Sequence, residues 1–169
     1  MRRLILFRHA KAEPRAPGGE DIDRALTPRG ERDAALMGGV LARAGLAPDL
    51  ALVSPALRAA ETWRWAREAF AGFAVQVRDG LYNATPEEVA AELDLGTAGA
   101  DTVIVVGHNP SLQELAVSLL IDGDGSAGDI ERVSARFGTA TAAALRLDAA
   151  GRAALEALFH ARDHGGDGQ

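Results

Sequence analysis

The chain has no cysteine, which excludes disulfide frameworks, cysteine nucleophiles and zinc–thiolate sites. That absence fits a reducing compartment. No apolar run approaches the roughly 18 residues a membrane helix needs, so no membrane partner is expected. Met1-Arg2-Arg3 leads into only Leu4-Ile5-Leu6-Phe7, which is too short for a secretory h-region; the expected location is the cytoplasm. The only short basic run is Arg2-Arg3, and the net charge is −6. Nonspecific nucleic-acid binding needs clustered Lys and Arg to neutralise phosphates, so nucleic acid is not an expected partner either. An anionic small ligand still fits, provided that positive charge is gathered in one pocket. Histidine is scarce, with four in 169 residues, so where each one stands carries information.

What is present describes an ordinary globular chain. Apolar residues make up 47% and charged residues 25%. The length suits one domain with a core that needs no staples. The expected domain covers residues 1–162, with a disordered tail over 163–169.

Strand and helix signals alternate. Leu4-Ile5-Leu6-Phe7 reads as a buried first strand, and a long polar loop follows over residues 11–25. Loops of that length are more often functional than accidental. Thr27-Pro28 has the form of an N-cap with proline at the first helical position, and that helix should stop at Gly45. Residues 50–53 form the second strand. Ser54-Pro55 repeats the cap-and-proline signature, opening a helix towards Phe70. A short strand at 75–77 precedes a third such signature, Thr85-Pro86. Residues 103–107 are the next strand, and Pro110 opens a helix with Leu112, Leu115, Ala116, Leu119 and Leu120 at helical spacing. Residues 122–128 read as loop, 141–148 as a last strand and 149–161 as a short helix. Alternating β and α units imply an α/β fold: a single-domain, three-layer α/β/α sandwich on a mostly parallel sheet.

Two of the four histidines end predicted core strands. His9 follows Arg8 at the end of the first, and His108 follows Val106-Gly107. In an open α/β sheet the carboxyl edge is where ligands bind. Arg58 falls in the first turn of a helix leaving that same edge, and His108 lies at a helix N-terminus, which favours anions. Any one of these residues alone is unremarkable. Together, two arginines and two histidines around one point would surround a phosphoryl group with donors. Phosphoryl transfer needs mainly positioning and charge stabilisation. A histidine nucleophile must be neutral and aimed, with one ring nitrogen fixed and the other free.

Leu6-Phe7-Arg8-His9, Ser54-Pro55-Ala56-Leu57-Arg58-Ala59 and Gly107-His108-Asn109 resemble the histidine phosphatase superfamily, whose fold is phosphoglycerate mutase-like. Arg8-His9-Ala10-Lys11, Arg24-Ala25-Leu26-Thr27-Pro28-Arg29-Gly30 and the short chain are similar to its SixA-type phosphohistidine phosphatase branch. The resemblance covers about residues 3–148. It implies that His9 attacks phosphorus and carries a covalent phosphoryl group. Arg8, Arg58 and His108 then hold the phosphoryl oxygens, water releases phosphate, and neither metal nor cofactor takes part. Arg24 is a candidate substrate contact.

Two departures bear on the substrate. The superfamily usually reads Arg-His-Gly, where this chain has Ala10, and alanine would be strained if the site required positive φ. Its mutases and many of its phosphatases place a glutamate general acid near Gly80-Leu81-Tyr82-Asn83, and here Tyr82 stands in its place. A general acid is worth about 10²–10⁴-fold for a poor leaving group, whereas an imidazole leaving group needs less help. The departure favours a protein phosphohistidine over a small phosphorylated metabolite. Glu20, Asp21 and Asp23 in the long loop are alternative acids, although Glu20 reads better as a solvated charge. The rival functions are a small-molecule phosphomonoesterase or mutase of the same superfamily, and a noncatalytic phosphate-binding protein.

Three other signals are set aside. His160 and His164 have metal-ligand spacing, but no carboxylate pattern completes a site. Residues 122–133 fail the calcium-loop test, with Ala127 and Val133 where glycine and glutamate belong. Trp63 and Trp65 cannot share a helix face, so one of them should be core.

Overall fold

The computed structural model describes residues 1–97 and 99–166. Its centre is a six-stranded sheet in the order β3-β2-β4-β1-β5-β6. The strands are β1 (Arg3–Arg8), β2 (Leu50–Val53), β3 (Ala74–Val77), β4 (Thr102–Gly107), β5 (Thr141–Leu147) and β6 (Ala153–His160). β1, β2, β3 and β4 pair in parallel, while β5 and β6 add antiparallel on the far side of β1.

The period-2 geometry of a strand sorts each apolar run onto both faces. Ile5, Phe7, Ala51, Val53, Ile104 and Val106 face one core, which is closed by α1 (Pro28–Arg43) and α2 (Leu57–Ala66). Leu4, Leu6, Leu50, Leu52, Val103 and Val105 face the other, closed by α3 (Pro86–Gly96), α4 (Ser111–Asp122) and α5 (Ala127–Ala135). This is the expected three-layer sandwich. Each of the large, fully buried side chains contributes about 1.5–3 kcal/mol of transfer free energy, so the inner strands are the rigid part of the molecule.

Helix entries follow the local sequence in two places. Thr27 Oγ1 accepts from Gly30 N with Pro28 at the first position. Thr85 and Glu88 form a reciprocal capping box. α1 stops where Gly45 takes φ +72°. Ser54-Pro55 behaves differently. α2 begins at Leu57 with Ala56 as an N-cap that makes no side-chain cap bond, while the Ser54 hydroxyl accepts from Ala56 N at 3.4 Å and reaches into the site described below.

The C-terminal third corrects two expectations. Residues 149–161 are not a helix: Ala153–His160 is strand β6, paired with β5 through a tight turn. Alanines favour helix locally, but the open edge of β5 offers a full ladder of hydrogen bonds, and tertiary pairing overrides propensity. The turn was visible in Asp148-Ala149-Ala150-Gly151. Asp148 Oδ1 accepts from Ala150 N and Arg152 N at 2.8 Å each, and Gly151 takes φ +80°. Helix α5 lies where no element was expected, capped by Ser126 Oγ on Asp129 N at 3.1 Å. After β6 comes a 3₁₀ turn, Ala161–His164, closed by Gly166 N on Ala161 O at 2.9 Å. Residues 167–169 lie outside the described residues.

Candidate active site

β1 and β4 run in parallel with Arg8 in register with Gly107. The two histidines therefore leave the sheet side by side, and their rings are 5.2 Å apart. His9 N donates to Gly107 O at 2.9 Å, which extends the ladder by one rung. The His9 ring is buried, with Nδ1 2.8 Å from Ala10 O. A carbonyl can only accept, so Nδ1 carries the proton and Nε2 keeps its lone pair. Burial is the main reason that His9 is pushed down to about 3. The Ala10 carbonyl opposes that shift, and His108, Arg58 and Arg8 reinforce it. His9 is neutral across the physiological range.

Ala10 itself is held from α2. Its N–H donates to Thr62 Oγ1 at 2.9 Å, and Thr62 Oγ1 donates to Arg58 O at 2.6 Å. One turn of α2 thus positions both Arg58 and the carbonyl that fixes His9. The backbone strain expected of alanine here does not arise: among the described residues the non-glycine positions with positive φ are Asn83 and Ala140.

His108 Nε2 lies 2.8 Å from Ser54 Oγ. Its Nδ1 is buried without a hydrogen-bond partner among the described residues. Burial first, then the charge of Arg58, lowers His108 to about 4. Tyr82 packs edge-on against its ring at 5.9 Å.

The two arginines are fixed in different ways. Arg8 Nη1 donates to the backbone carbonyl of Phe137 at 2.8 Å, and burial lowers its pKa, though a guanidinium stays charged. Arg58 Nη1 donates to Asp21 O at 2.8 Å and Nη2 to Asp21 Oδ2 at 3.0 Å. Arg24 Nε is 3.1 Å from Asp21 Oδ1, and Tyr82 OH donates to Asp21 Oδ2 at 3.0 Å.

Arg8, His9, Arg24, Arg58 and His108 line one pocket of about 820 Å³, together with Lys11 and Asn109. Among the described residues that line it there is no carboxylate. A chain with a net charge of −6 has gathered four cations at one sheet edge. Such a pocket focuses the field on an anion, and it presents a neutral imidazole with a free lone pair beside guanidinium donors.

All five residues expected at the site are therefore brought together. The sequence reading missed Ser54, Thr62, the Phe137 carbonyl and the anchoring part played by Asp21. The cap signature at Ser54-Pro55 concealed the first, and a backbone carbonyl has no sequence signal. Glu20, Asp21 and Asp23 are all exposed, and Asp21 is the one bonded to Arg58. His160 lies on β6, with Nδ1 3.0 Å from Thr141 Oγ1, and His164 packs on Phe159 at 5.9 Å. Trp63 is core and Trp65 is half-buried.

The family model for the histidine phosphatase superfamily (branch 1) matches residues 4–85. A solved structure assigned as the phosphohistidine phosphatase SixA of Nakamurella multipartitia is 32% identical, with a TM-score of 0.83 over 94% of this chain and 95% of that one. The protein histidine phosphatase SixA complexed with tungstate shares the fold, at 24% identity and a TM-score of 0.78 over 95% and 98% of the two chains. The chain belongs to the histidine phosphatase superfamily, and the enzyme is a phosphatase. Among sequence relatives, the uncharacterized protein Rv1276c of Mycobacterium tuberculosis is 39% identical over 145 residues, 83% of this chain and 87% of that protein. Among the described residues, no helix is long and apolar enough to cross a membrane.

Proposed function

We propose that the protein hydrolyses protein phosphohistidine through a covalent phosphoryl group on His9. The observation that carries the reading is the state of His9: neutral, locked by Ala10 O at 2.8 Å and beside two guanidiniums. Its Nε2 lone pair forms a bond to phosphorus as the bond to the substrate imidazole breaks. The electron pair leaves with that imidazole, which takes up a proton. Arg8, Arg58 and His108 stabilise charge on the equatorial oxygens. Water then adds to phosphorus, the P–N bond breaks with its pair returning to Nε2, and hydrogen phosphate and a proton are released.

Two features favour an imidazole leaving group. Tyr82 stands where relatives with poor leaving groups place a carboxylic acid. Asp21, the loop acid that reaches the site, is held ionised: partial desolvation opposes this, but the Tyr82 hydroxyl and the Arg58 and Arg24 charges prevail. A carboxylate in that state is a poor proton donor. Lys11 and Arg24 on the pocket wall favour the second reading, a phosphomonoesterase for small phosphorylated metabolites with further acidic groups. Arg24 is a substrate contact in either case.

The test is phosphoenzyme trapping combined with a substrate panel. Acid-labile, alkali-stable label should form on the wild type and be absent from His9→Ala. Phosphohistidine protein should turn over at least tenfold faster than sugar or nucleotide phosphates, a margin of about 1.4 kcal/mol in the barrier. Faster turnover of an alkyl phosphate would establish the second reading, and label that persists in His9→Ala would defeat both.

A further inference from the structure

We infer that Asp21 is the positioning residue of the phosphoryl clamp, setting the aim of Arg58 from the long loop. The inference rests on the reading of Arg58 as a phosphoryl donor.

The Arg58 side chain is only 7% exposed, so solvent cannot orient it. A guanidinium has five N–H donors. Asp21 takes one from each terminal nitrogen, Nη1 through its backbone carbonyl and Nη2 through its carboxylate. That leaves Nε and one hydrogen on each terminal nitrogen. Arg58 Nε is buried without a hydrogen-bond partner among the described residues. Arg58 lines the pocket, and its remaining terminal N–H groups are the donors a phosphate oxygen can meet there. Asp21 thus takes one N–H of each terminal nitrogen and leaves the other for the ligand.

Asp21 is itself fixed at three points. Its Oδ2 also accepts from Tyr82 OH at 3.0 Å, its Oδ1 pairs with Arg24 at 3.1 Å, and it opens the 3₁₀ turn Asp21–Asp23. The Tyr82 ring lies under Arg58 at 5.9 Å. Exposed ion pairs are worth little, but here one partner is buried and the bond carries direction. Tyr82 therefore has a second meaning: the residue standing in place of an acid tethers the loop carboxylate that aims an arginine.

The prediction concerns binding as much as turnover. Asp21→Ala should weaken orthovanadate binding and lower kcat/KM by about 10–30-fold, the scale of one hydrogen bond to a charged group. The loss should be the same for p-nitrophenyl phosphate, an alkyl phosphate and phosphohistidine protein. Asp21→Asn keeps the backbone carbonyl and a side-chain acceptor, and should recover to within about threefold. In an Arg58→Ala background, Asp21→Ala should cost no more than the smaller part carried through Arg24, well below its effect in the wild type. Unchanged orthovanadate affinity in Asp21→Ala, with its thermal midpoint intact, would overturn the inference. So would a loss confined to the alkyl phosphate that Asp21→Asn fails to rescue, since that pattern belongs to a proton donor. Failure of the underlying reading would look different: no phosphoenzyme on the wild-type protein.

Discussion

The site is built in two halves that differ in what holds them. Arg8, His9 and His108 leave the ends of two adjacent parallel strands whose side chains fill both cores. Their partners are backbone carbonyls of Ala10 and Phe137 and the buried hydroxyl of Ser54. Arg58, Arg24 and Tyr82 are held instead by a carboxylate, Asp21, which is half-exposed on a polar loop. The first half is as stiff as the sheet. The second depends on a half-exposed carboxylate. We expect the aim of the nucleophile to rest on the stiff half, while the other adds the clamp arginine Arg58 to the recognition residues.

That division sets the expected sizes of effect. The largest after loss of His9 is Arg8→Ala. One preorganised donor to a developing oxyanion is worth about 10²–10³ in kcat. Arg24→Ala, in the loop half, should cost less than about tenfold, and mainly in KM. Steady-state kinetics on both variants tests the comparison. Equal losses would show that the loop half is as deeply engaged with the reacting phosphoryl group as the strand edge.

Thr62→Val should rank next. It removes the acceptor for Ala10 N and the donor to Arg58 O while keeping the shape. A buried N–H left unsatisfied costs about 1–3 kcal/mol, and the carbonyl that fixes His9 loses its support. We expect kcat to fall about tenfold with KM nearly unchanged, because the free nitrogen of His9 would be misaimed rather than lost. A change confined to KM would mean that Thr62 serves the arginine and not the histidine.

The same division explains how much could be read from the sequence. The strand half was legible because a buried parallel strand is a continuous apolar run, and a charged residue at its end must have a reason to be there. Arg8, His9 and His108 needed only that rule. Arg58 needed a helix start in register with the same edge, and the cap signature supplied one within two residues. Asp21 was unreadable in its actual role: it is one acid among four in a loop, and only the folded loop shows which of them meets Arg58. Strand β6 was misread because alanine reports local preference while the open edge of β5 decides the pairing.

Gly30→Ala probes the seam between the halves. A methyl group at Gly30 would collide with Lys11 O, and that carbonyl also accepts from Thr27 N and Thr27 Oγ1. Overpacking against backbone costs about 1–3 kcal/mol, and the long loop starts at Lys11. Lower thermal stability with a rise of a few-fold in KM is the expected outcome. An unchanged KM would show that the loop limb at Lys11 does not carry recognition.

The smallest expected effect on rate is that of pH. His9 is pushed down to about 3 and His108 to about 4, in both cases mainly by burial. Neither should protonate between about pH 5 and 8, so kcat/KM corrected for ionisation of the substrate phosphoryl group should be flat there. Stability behaves otherwise. Unfolded histidine titrates near 6.5, so below that value the unfolded chain binds protons that the folded chain refuses. The contribution of the two rings is intact above about pH 6.5 and is lost as pH falls towards their folded values. Urea midpoints in phosphate-free buffer should therefore drop from about pH 7 to 5 while the corrected rate holds, and His9→Asn should drop less. A corrected rate that breaks near pH 6.5 would mean that His9 titrates as an ordinary exposed imidazole, and the strand half would lose the stiffness that separates it from the loop.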